Sequence, residues 1–414
     1  MLISKYERHP ARIHHDARAQ YPYKDSIMTT PQDKDAERPG WRIGVLYSRS
    51  GVTGTTESQH FFGTVLAVEE INELGGVLGR PLAPVAYDPR SDAEEYRRLA
   101  ARLLLDDEVS VIFGGCTSHC RKAMLPVVER SNSLLWYGSV YEGFEYSPNV
   151  IYTGAAPNQG SMQLAAYLIQ NCGSRIFLVG ADYIYPRETN RIMRETVEEH
   201  GGEILDETYL PLGCDDSEIN DVVADIRRIQ PDVVFSTLIG ADAQRFYQRY
   251  HEACQAEGTA ASHIPIASLT MAESEVAEIG PQRCVGHITA ATYFNTVDTP
   301  ANAHFLARWR ERFGDHPASV YAETCYSQMH LFARALQRVG SMDTRKLVQA
   351  VHQVQFDAPD GQMSVLAENN HSVLTPRIGV CREDGRFDIV WESDEPVKPD
   401  PYLTAFGLDE FWLK

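Results

Sequence analysis

From residue 41 onward, short unbroken apolar runs alternate with stretches in which apolar residues recur every three or four positions, the signatures of buried strands and of amphipathic helices. Trp41–Tyr47 opens as a strand, and a flexible polar loop, 48–54, leads into a helix with Phe61, Val65, Val68 and Ile71 on one face, stopped by Gly75 and Gly76. A strand over 82–87 follows. Ser91 with Glu94 reads as a capping box for a helix whose core face is Tyr96, Leu99, Leu103 and Leu104. Strand 109–113, helix 120–131, strand 133–137 and a short strand at 150–153 complete a first βα layer. A second layer begins near Pro157, with helix 157–171, strand 175–180, loop 181–186 and helix 187–200. It continues through strand 203–210, helix 216–229, strand 232–237, helix 241–257, strand 264–268 and a short helix after Thr270. A strand at 286–293, helices at 299–314, 318–339 and 343–353, and strand-like segments at 362–366, 374–380 and 387–392 then need sheets to cover and complete.

Two βα layers of similar size predict an α/β protein of two doubly wound, Rossmann-like lobes joined by a multi-stranded hinge. The expected division is a disordered, polar, His- and Arg-rich tail over 1–40, lobe 1 over 41–155 plus 286–345, and lobe 2 over 156–285 plus 346–414. Met28 is an alternative start.

The stretch Phe113-Gly-Gly-Cys-Thr-Ser-His-Cys-Arg-Lys122 joins a buried strand to a helix through small polar residues. In open α/β sheets ligands settle at the carboxyl ends of strands, where the hydroxyls of Thr117 and Ser118 and the first amides of the helix face a cleft. The same residues also read as a well-made turn with an N-cap serine, and the stretch alone leaves the two readings level.

The chain of 414 residues is 43% apolar, which excludes a disordered polymer, and no apolar run approaches the ~20 residues that cross a bilayer. The first 30 residues lack the apolar block of a secretory signal, so the expectation is a cytoplasmic protein that does not engage a membrane. A formal charge of −19 argues against a nucleic-acid surface. Eight scattered cysteines read as reduced thiols. Cys116 and Cys120 form a CxxxC around His119, but no second pair at ligand spacing accompanies them, so a metal site is the weaker reading and no cofactor is expected.

Several motifs carry a resemblance. Ile43-Gly-Val-Leu with Gly51-Val-Thr-Gly, Glu69-Glu-Ile-Asn followed by Gly-Gly-Val-Leu-Gly-Arg80, Ser118-His-Cys-Arg-Lys122, Tyr141-Glu-Gly-Phe-Glu-Tyr-Ser-Pro-Asn149, Ala156-Pro-Asn-Gln159, Asp182-Tyr-Ile-Tyr-Pro-Arg187 and Asn369-Asn-His-Ser372 together resemble the amide- and urea-binding branch of the type I periplasmic-binding fold. Within it the likeness is greatest to cytoplasmic amide sensors that negatively regulate aliphatic amidase operons. It covers about residues 41–405. The resemblance implies two lobes closing on a small amide, a homodimer, and an RNA-binding antiterminator held inactive until the amide arrives. It also implies a pocket at Ser118, Tyr137, Ser139, Tyr183, Tyr185 and Thr270, to which the turn adds Cys116 and Thr117. Ser, Thr and Tyr hydroxyls satisfy both the carbonyl and the NH2 of a neutral amide without burying a charge. Core packing is the competing reading for Tyr183 and Tyr185. Tyr141, Glu142 and Tyr146 are expected to build their loop, and Trp136 to pack in the core.

The chain departs from that family where Cys116 replaces an aromatic residue, Ser139 replaces threonine, and Gly138 with Val140 replaces a proline-flanked loop. Each change removes bulk or rigidity, which predicts a ligand larger than the smallest aliphatic amides or a urea-like one. Swinging Trp136 into the site would instead restore a small pocket. Three functional classes follow: a ligand-sensing regulator, the solute-binding component of a urea or short-chain amide ABC transporter, and an enzyme acting on an amide. The enzyme reading rests on Cys116 near His119 and Lys122 and has no nucleophile-elbow motif, so the protein is expected not to be an enzyme.

Overall fold

In the computed structural model, which describes residues 40–256 and 264–404, the chain forms two α/β lobes. The expected tail over 1–40 lies outside the described residues apart from Gly40. The first sheet is built from β1 (Trp41–Leu46), β2 (Leu82–Tyr87), β3 (Val111–Gly114), β4 (Leu134–Tyr137) and β5 (Val150–Tyr152), all parallel in the order β2-β1-β3-β4-β5. Between them lie α1 (Gly54–Glu73), α2 (Ala93–Leu105) and α3 (Ser118–Arg130). Strands such as Val111–Gly114 are apolar at successive positions because helices cover both faces. α2 and α3 bury Leu99, Leu103, Met124 and Val128 against one face, and α1 packs on the other.

The second lobe repeats the plan with α4 (Ser161–Asn171), β6 (Arg175–Ala181), α5 (Ile184–Glu199), β7 (Glu203–Leu210), α6 (Asp216–Ile229), β8 (Val233–Thr237), α7 (Gly240–Ala256), β9 (Ile266–Ser268), α8 (Glu273–Ile279) and β10 (Ile288–Ala291). The chain returns to lobe 1 for α9 (Pro300–Phe313), α10 (Val320–Val339), α11 (Thr344–Val351) and a small antiparallel sheet of β11 (Gln355–Ala358), β12 (Gly361–Val365) and β13 (Ser372–Val373). It ends in lobe 2 with β14 (Arg377–Cys381) and β15 (Phe387–Glu392), which give that sheet the order β15-β14-β10-β9-β8-β6-β7. The chain therefore changes lobe after β5, after β10 and after β13.

These crossings correct two expected boundaries. The strand near 286–293 belongs to the second sheet, where Ile288 and Thr289 pair in parallel with Ala267 and Ser268; one further βαβ step within a lobe keeps the crossover short. Residues 346–374 stay with lobe 1, because Leu347, Val351, Met363 and Leu374 share its core. Local signals shift by a few residues. The cap of α2 is Asp92, whose side chain accepts from the Glu95 amide, while Ser91 ties down the 48–54 loop by accepting from the Thr53 amide at 3.1 Å. α3 begins at Ser118 rather than 120. α5 begins at Ile184, so Tyr185 and Pro186 sit in a first helical turn, where proline is tolerated because no intrahelical partner awaits its missing N–H.

α1 is buried almost all round from Glu57 to Val68, lying between the first sheet and α10. Gly63 allows that approach: a Cβ there would stand 2.0 Å from the Ala322 carbonyl oxygen. Gly63→Ala is therefore expected to destabilise the protein by about 1–3 kcal/mol in urea denaturation, whereas Gly54→Ala, whose Cβ meets nothing closer than 3.5 Å, should cost nothing measurable.

Candidate functional site

The carboxyl ends of the parallel strands of the two sheets face one another across a cleft, and the turns that leave them build its walls. Lobe 1 contributes the loop after β1, the turn between β3 and α3, and the end of β4. Lobe 2 contributes the turns after β6, β8 and β9. They enclose a cavity of about 520 Å³ of empty space, part of it open to solvent. All eight residues singled out in the sequence line it: Cys116, Thr117, Ser118, Tyr137 and Ser139 from lobe 1, and Tyr183, Tyr185 and Thr270 from lobe 2. Trp136 stacks on Phe113 in the core, at 5.7 Å between rings, and is not available to refill the space left at Cys116. Tyr141 and Glu142 are buried in their loop outside the cavity and Tyr146 is exposed.

The structure adds Thr53, Thr56, Val140, Met271, Glu275 and Tyr321 to the lining. Thr53 and Thr56 follow β1 as Thr117 and Ser118 follow β3, so the strand-end rule applied to the first strand would have found them. Nothing in the sequence marks Glu275, one of three glutamates in a short helix, or Tyr321, one of many tyrosines.

Among the described residues no Lys, Arg or His lines the cavity, and Glu275 is the only carboxyl that does. Thr56 and Ser274 each donate to Glu275 at 2.7 Å, and burial pushes its acid up to about 7. The hydroxyls of Tyr137 and Tyr185 are buried and make no hydrogen bond of good geometry, although Ser118 and Thr189 lie beside them. Such orphaned donors fit a ligand that would complete them. Ser118 is anchored from beneath: it donates to Glu142, which shares Arg121 with Glu145. Arg121 is fully buried between those carboxylates and under the rings of Tyr137 and Tyr141, at 4.5 and 4.9 Å. Although burial opposes it, Arg121 and Lys122 hold Glu145 down at about 2.

The Cys116 thiol is pushed well above its ordinary value by burial, and His119 turns its Nδ1 to Thr117 at 2.7 Å rather than toward Cys116. A thiol held protonated and unpaired with a base is a poor nucleophile. Among the described residues no group of three or more His, Cys, Asp or Glu could hold a metal ion, and no helix is long and apolar enough to cross a membrane.

The lobes touch across the cleft. Besides Thr56 to Glu275, the Ala241 amide donates to the Val52 carbonyl at 3.2 Å, Tyr321 donates to the Thr270 carbonyl at 2.8 Å, and the His119 ring meets Tyr183 edge-on at 5.2 Å. This is a closed arrangement.

Two lobes, three crossings and a closed cleft at facing strand ends define a bilobed protein that clamps a small molecule. Residues 41–406 match the periplasmic binding protein domain family, and the chain belongs to it. The chain is 24% identical over 375 residues to Leu/Ile/Val-binding protein homolog 7 of Brucella abortus, covering 84% of this chain and 91% of that protein. It is 31% identical over 133 residues to a limonene hydroxylase of Geobacillus stearothermophilus, a match spanning only 32% of this chain and 24% of that one. Among solved structures, the fold is shared with an ABC transporter solute-binding protein from R. palustris in complex with benzoate, at a TM-score of 0.77, 19% identity and coverage of 87% and 98%. It is also shared with a branched-chain amino acid transporter substrate-binding protein from Streptococcus pneumoniae in complex with isoleucine, at a TM-score of 0.74, 18% identity and coverage of 87% and 100%.

Buried carboxyls set a pH dependence. Burial pushes Glu57 and Glu273 up to about 8 and Glu275 to about 7, from an ordinary 4.5. Between pH 6.5 and 8 the unfolded chain has released these protons while the folded one still holds them, so stability falls as pH rises through that window. Below 6.5 the trend is opposed by His60, lowered by burial to about 3, and by His330 and His371, lowered to about 4, because the unfolded imidazoles then bind protons. The thermal midpoint is expected to drop between pH 6.5 and 8.5, and Glu273→Gln should flatten that slope; a midpoint that rises over the window contradicts the assignment.

Closure has its own test. A Cβ on Gly240 would lie 1.8 Å from the Val52 carbonyl oxygen in the other lobe. Gly240→Ala should weaken ligand binding at least tenfold in calorimetry while lowering unliganded stability by only about 1–3 kcal/mol, the strain of a positive φ; unchanged affinity would mean that binding does not require this contact.

Proposed function

We propose that the protein is the solute-binding component of an ABC transporter and closes on a small, uncharged amide or urea-like molecule. What carries the ligand class is the lining: ten hydroxyls divided between the lobes and, among the described residues, no cation. A benzoate or other carboxylate brought into this cavity would lose water and find no Arg or Lys, a cost that neutral amides avoid. The transport role is favoured by the relatives, several of which are named as transporter binding proteins. An α-amino acid is the competing ligand, with its carboxylate at the first amides of α3 and its ammonium at Glu275.

The regulatory reading places the protein in the cytoplasm as a homodimer that holds an RNA-binding antiterminator inactive, and it rests on the motifs Tyr141–Asn149 and Asp182–Arg187 and on the acidic charge of −19. Deleting the gene separates the two. Lost uptake of the ligand supports transport, and unchanged uptake with altered transcription of a neighbouring amidase gene supports regulation.

For the ligand itself, calorimetry with acetamide, propionamide, urea, benzoate and isoleucine is the test. Propionamide or urea should bind best, because Cys116 leaves room that an aromatic residue would fill. Cys116→Tyr should shift preference toward acetamide, and Tyr185→Phe should cost about 1–3 kcal/mol if its hydroxyl meets the ligand. Tightest binding of isoleucine or benzoate would replace the proposed ligand class.

A further inference from the structure

Ser118 and Ser139 both line the lobe 1 wall, and each has a hydrogen-bond partner that does not. Ser118 Oγ donates to Glu142. That carboxyl is ion-paired with Arg121 at 3.4 Å and Lys122 at 3.8 Å, and toward Ser118 it accepts. Arg121 Nη1 takes one lone pair of Ser118 at 3.3 Å, and the other is on the cleft side, beside the Tyr137 hydroxyl. Ser139 Oγ lies 3.1 Å from His60 Nε2. His60 Nδ1 faces the Thr56 carbonyl at 3.1 Å, which accepts and cannot donate. The Gly138 carbonyl also lies at this ring. A bare Nδ1 against the Thr56 carbonyl would be repulsive, so Nδ1 carries the proton and Nε2 accepts from Ser139. Burial keeps the ring neutral, and stacking on Tyr47 at 5.2 Å fixes its plane.

We infer that Glu142 and His60 are positioning residues that set the polarity of the cavity: by taking the protons of Ser118 and Ser139 they make these two hydroxyls accept hydrogen bonds only. The unpartnered hydroxyls of Tyr137 and Tyr185 remain as donors. A ligand must then present N–H groups to the serines and an acceptor to the tyrosines, as a primary amide or a urea does. A carboxylate or a ketone offers the serines only lone pairs. This deepens the ligand reading above and rests on it, except for the tautomer of His60, which is independent of any ligand.

Propionamide, propionate and butanone have nearly the same shape and differ in what they offer the serines, so calorimetry with the full chain can measure polarity apart from size. The unmodified protein should prefer propionamide to either analogue by at least tenfold. In Glu142→Gln the amide oxygen stays with Arg121, Nε2 turns to Ser118, and the Ser118 proton is released to the cleft. The preference for propionamide over propionate should narrow at least tenfold, and should not narrow when the same change is made in Ser118→Ala. A purely structural role for Glu142 would weaken all three probes alike in both backgrounds and would overturn the inference for Ser118. For the His60 arm, nitrogen NMR of histidine-labelled protein should show a neutral ring protonated at Nδ1, with Ser139→Ala moving the Nε2 resonance. An Nε2-protonated or charged ring overturns it. If neither propionamide nor urea binds, the proposed ligand class is wrong, while the tautomer result still decides whether the wall has the polarity inferred.

Discussion

A full positive charge buried in lobe 1 organises the ligand-facing wall. Arg121 has no exposed surface, and its guanidinium is satisfied by Glu142 and Glu145 from the loop after β4 and by the faces of Tyr137 and Tyr141. A buried ion pair of this kind adds little net stability over an apolar cluster, but removing one partner strands the other at a cost of about 3–5 kcal/mol. Its value is therefore positional. The same carboxylates reach Ser118 and the Tyr152 hydroxyl, and Tyr141 and Tyr152 stack with His371, which enters from the segment after β12. One cation thus ties the first turn of α3, the end of β4 and a distant stretch of chain into a single rigid surface.

Among the described residues, lobe 2 has no comparable buried cation at the cleft. Its tyrosines at 183 and 185 stand at the start of α5, and its approach to lobe 1 is made by uncharged backbone contacts, rings and single hydrogen bonds: Gly240 against Val52, Thr56 against Glu275, Tyr321 against the Thr270 carbonyl, and His119 against Tyr183. A rigid wall opposed by a lightly bonded one suits a clamp, since the contacts broken on opening are few and none is a desolvated ion pair. α1 links the two, because its N-terminal turn reaches lobe 2 while its middle is locked under α10 by Gly63.

The alternation of strand and helix, and with it the two-lobed architecture, was legible because parallel strands covered on both faces leave unbroken apolar runs. Of the cavity lining, Tyr137, Ser139, Tyr183, Tyr185 and Thr270 were implied by the family resemblance, whereas Thr117 and Ser118 were legible as hydroxyls at a strand end, a local feature. Where the chain changes lobe was less so: β10 and the segment 346–374 have the same apolar pattern whichever sheet or core they join. The capping error at α2 is of the same kind, since Ser91 and Asp92 are both good caps and only the loop to which Ser91 bonds decides between them. Glu275 and Tyr321 were invisible because their place in the cavity depends on how two lobes meet, a contact that no local pattern encodes.

His60 shows the same limit at finer scale. Its position in a buried helix reads as core, and in packing terms it is core, stacked between Tyr47 and Tyr321. Its consequence for the site lies in which nitrogen holds the proton, and that is fixed by a carbonyl one helical turn away. Solved structures that share this fold hold isoleucine in one case and benzoate in another, ligands with different charge. The fold supplies two facing walls at strand ends and leaves their charge and hydrogen-bond direction open. In this chain those are set one layer behind the cavity, by Glu142 and Arg121 on one side and His60 on the other, so a change of ligand class need not alter any residue that touches the ligand.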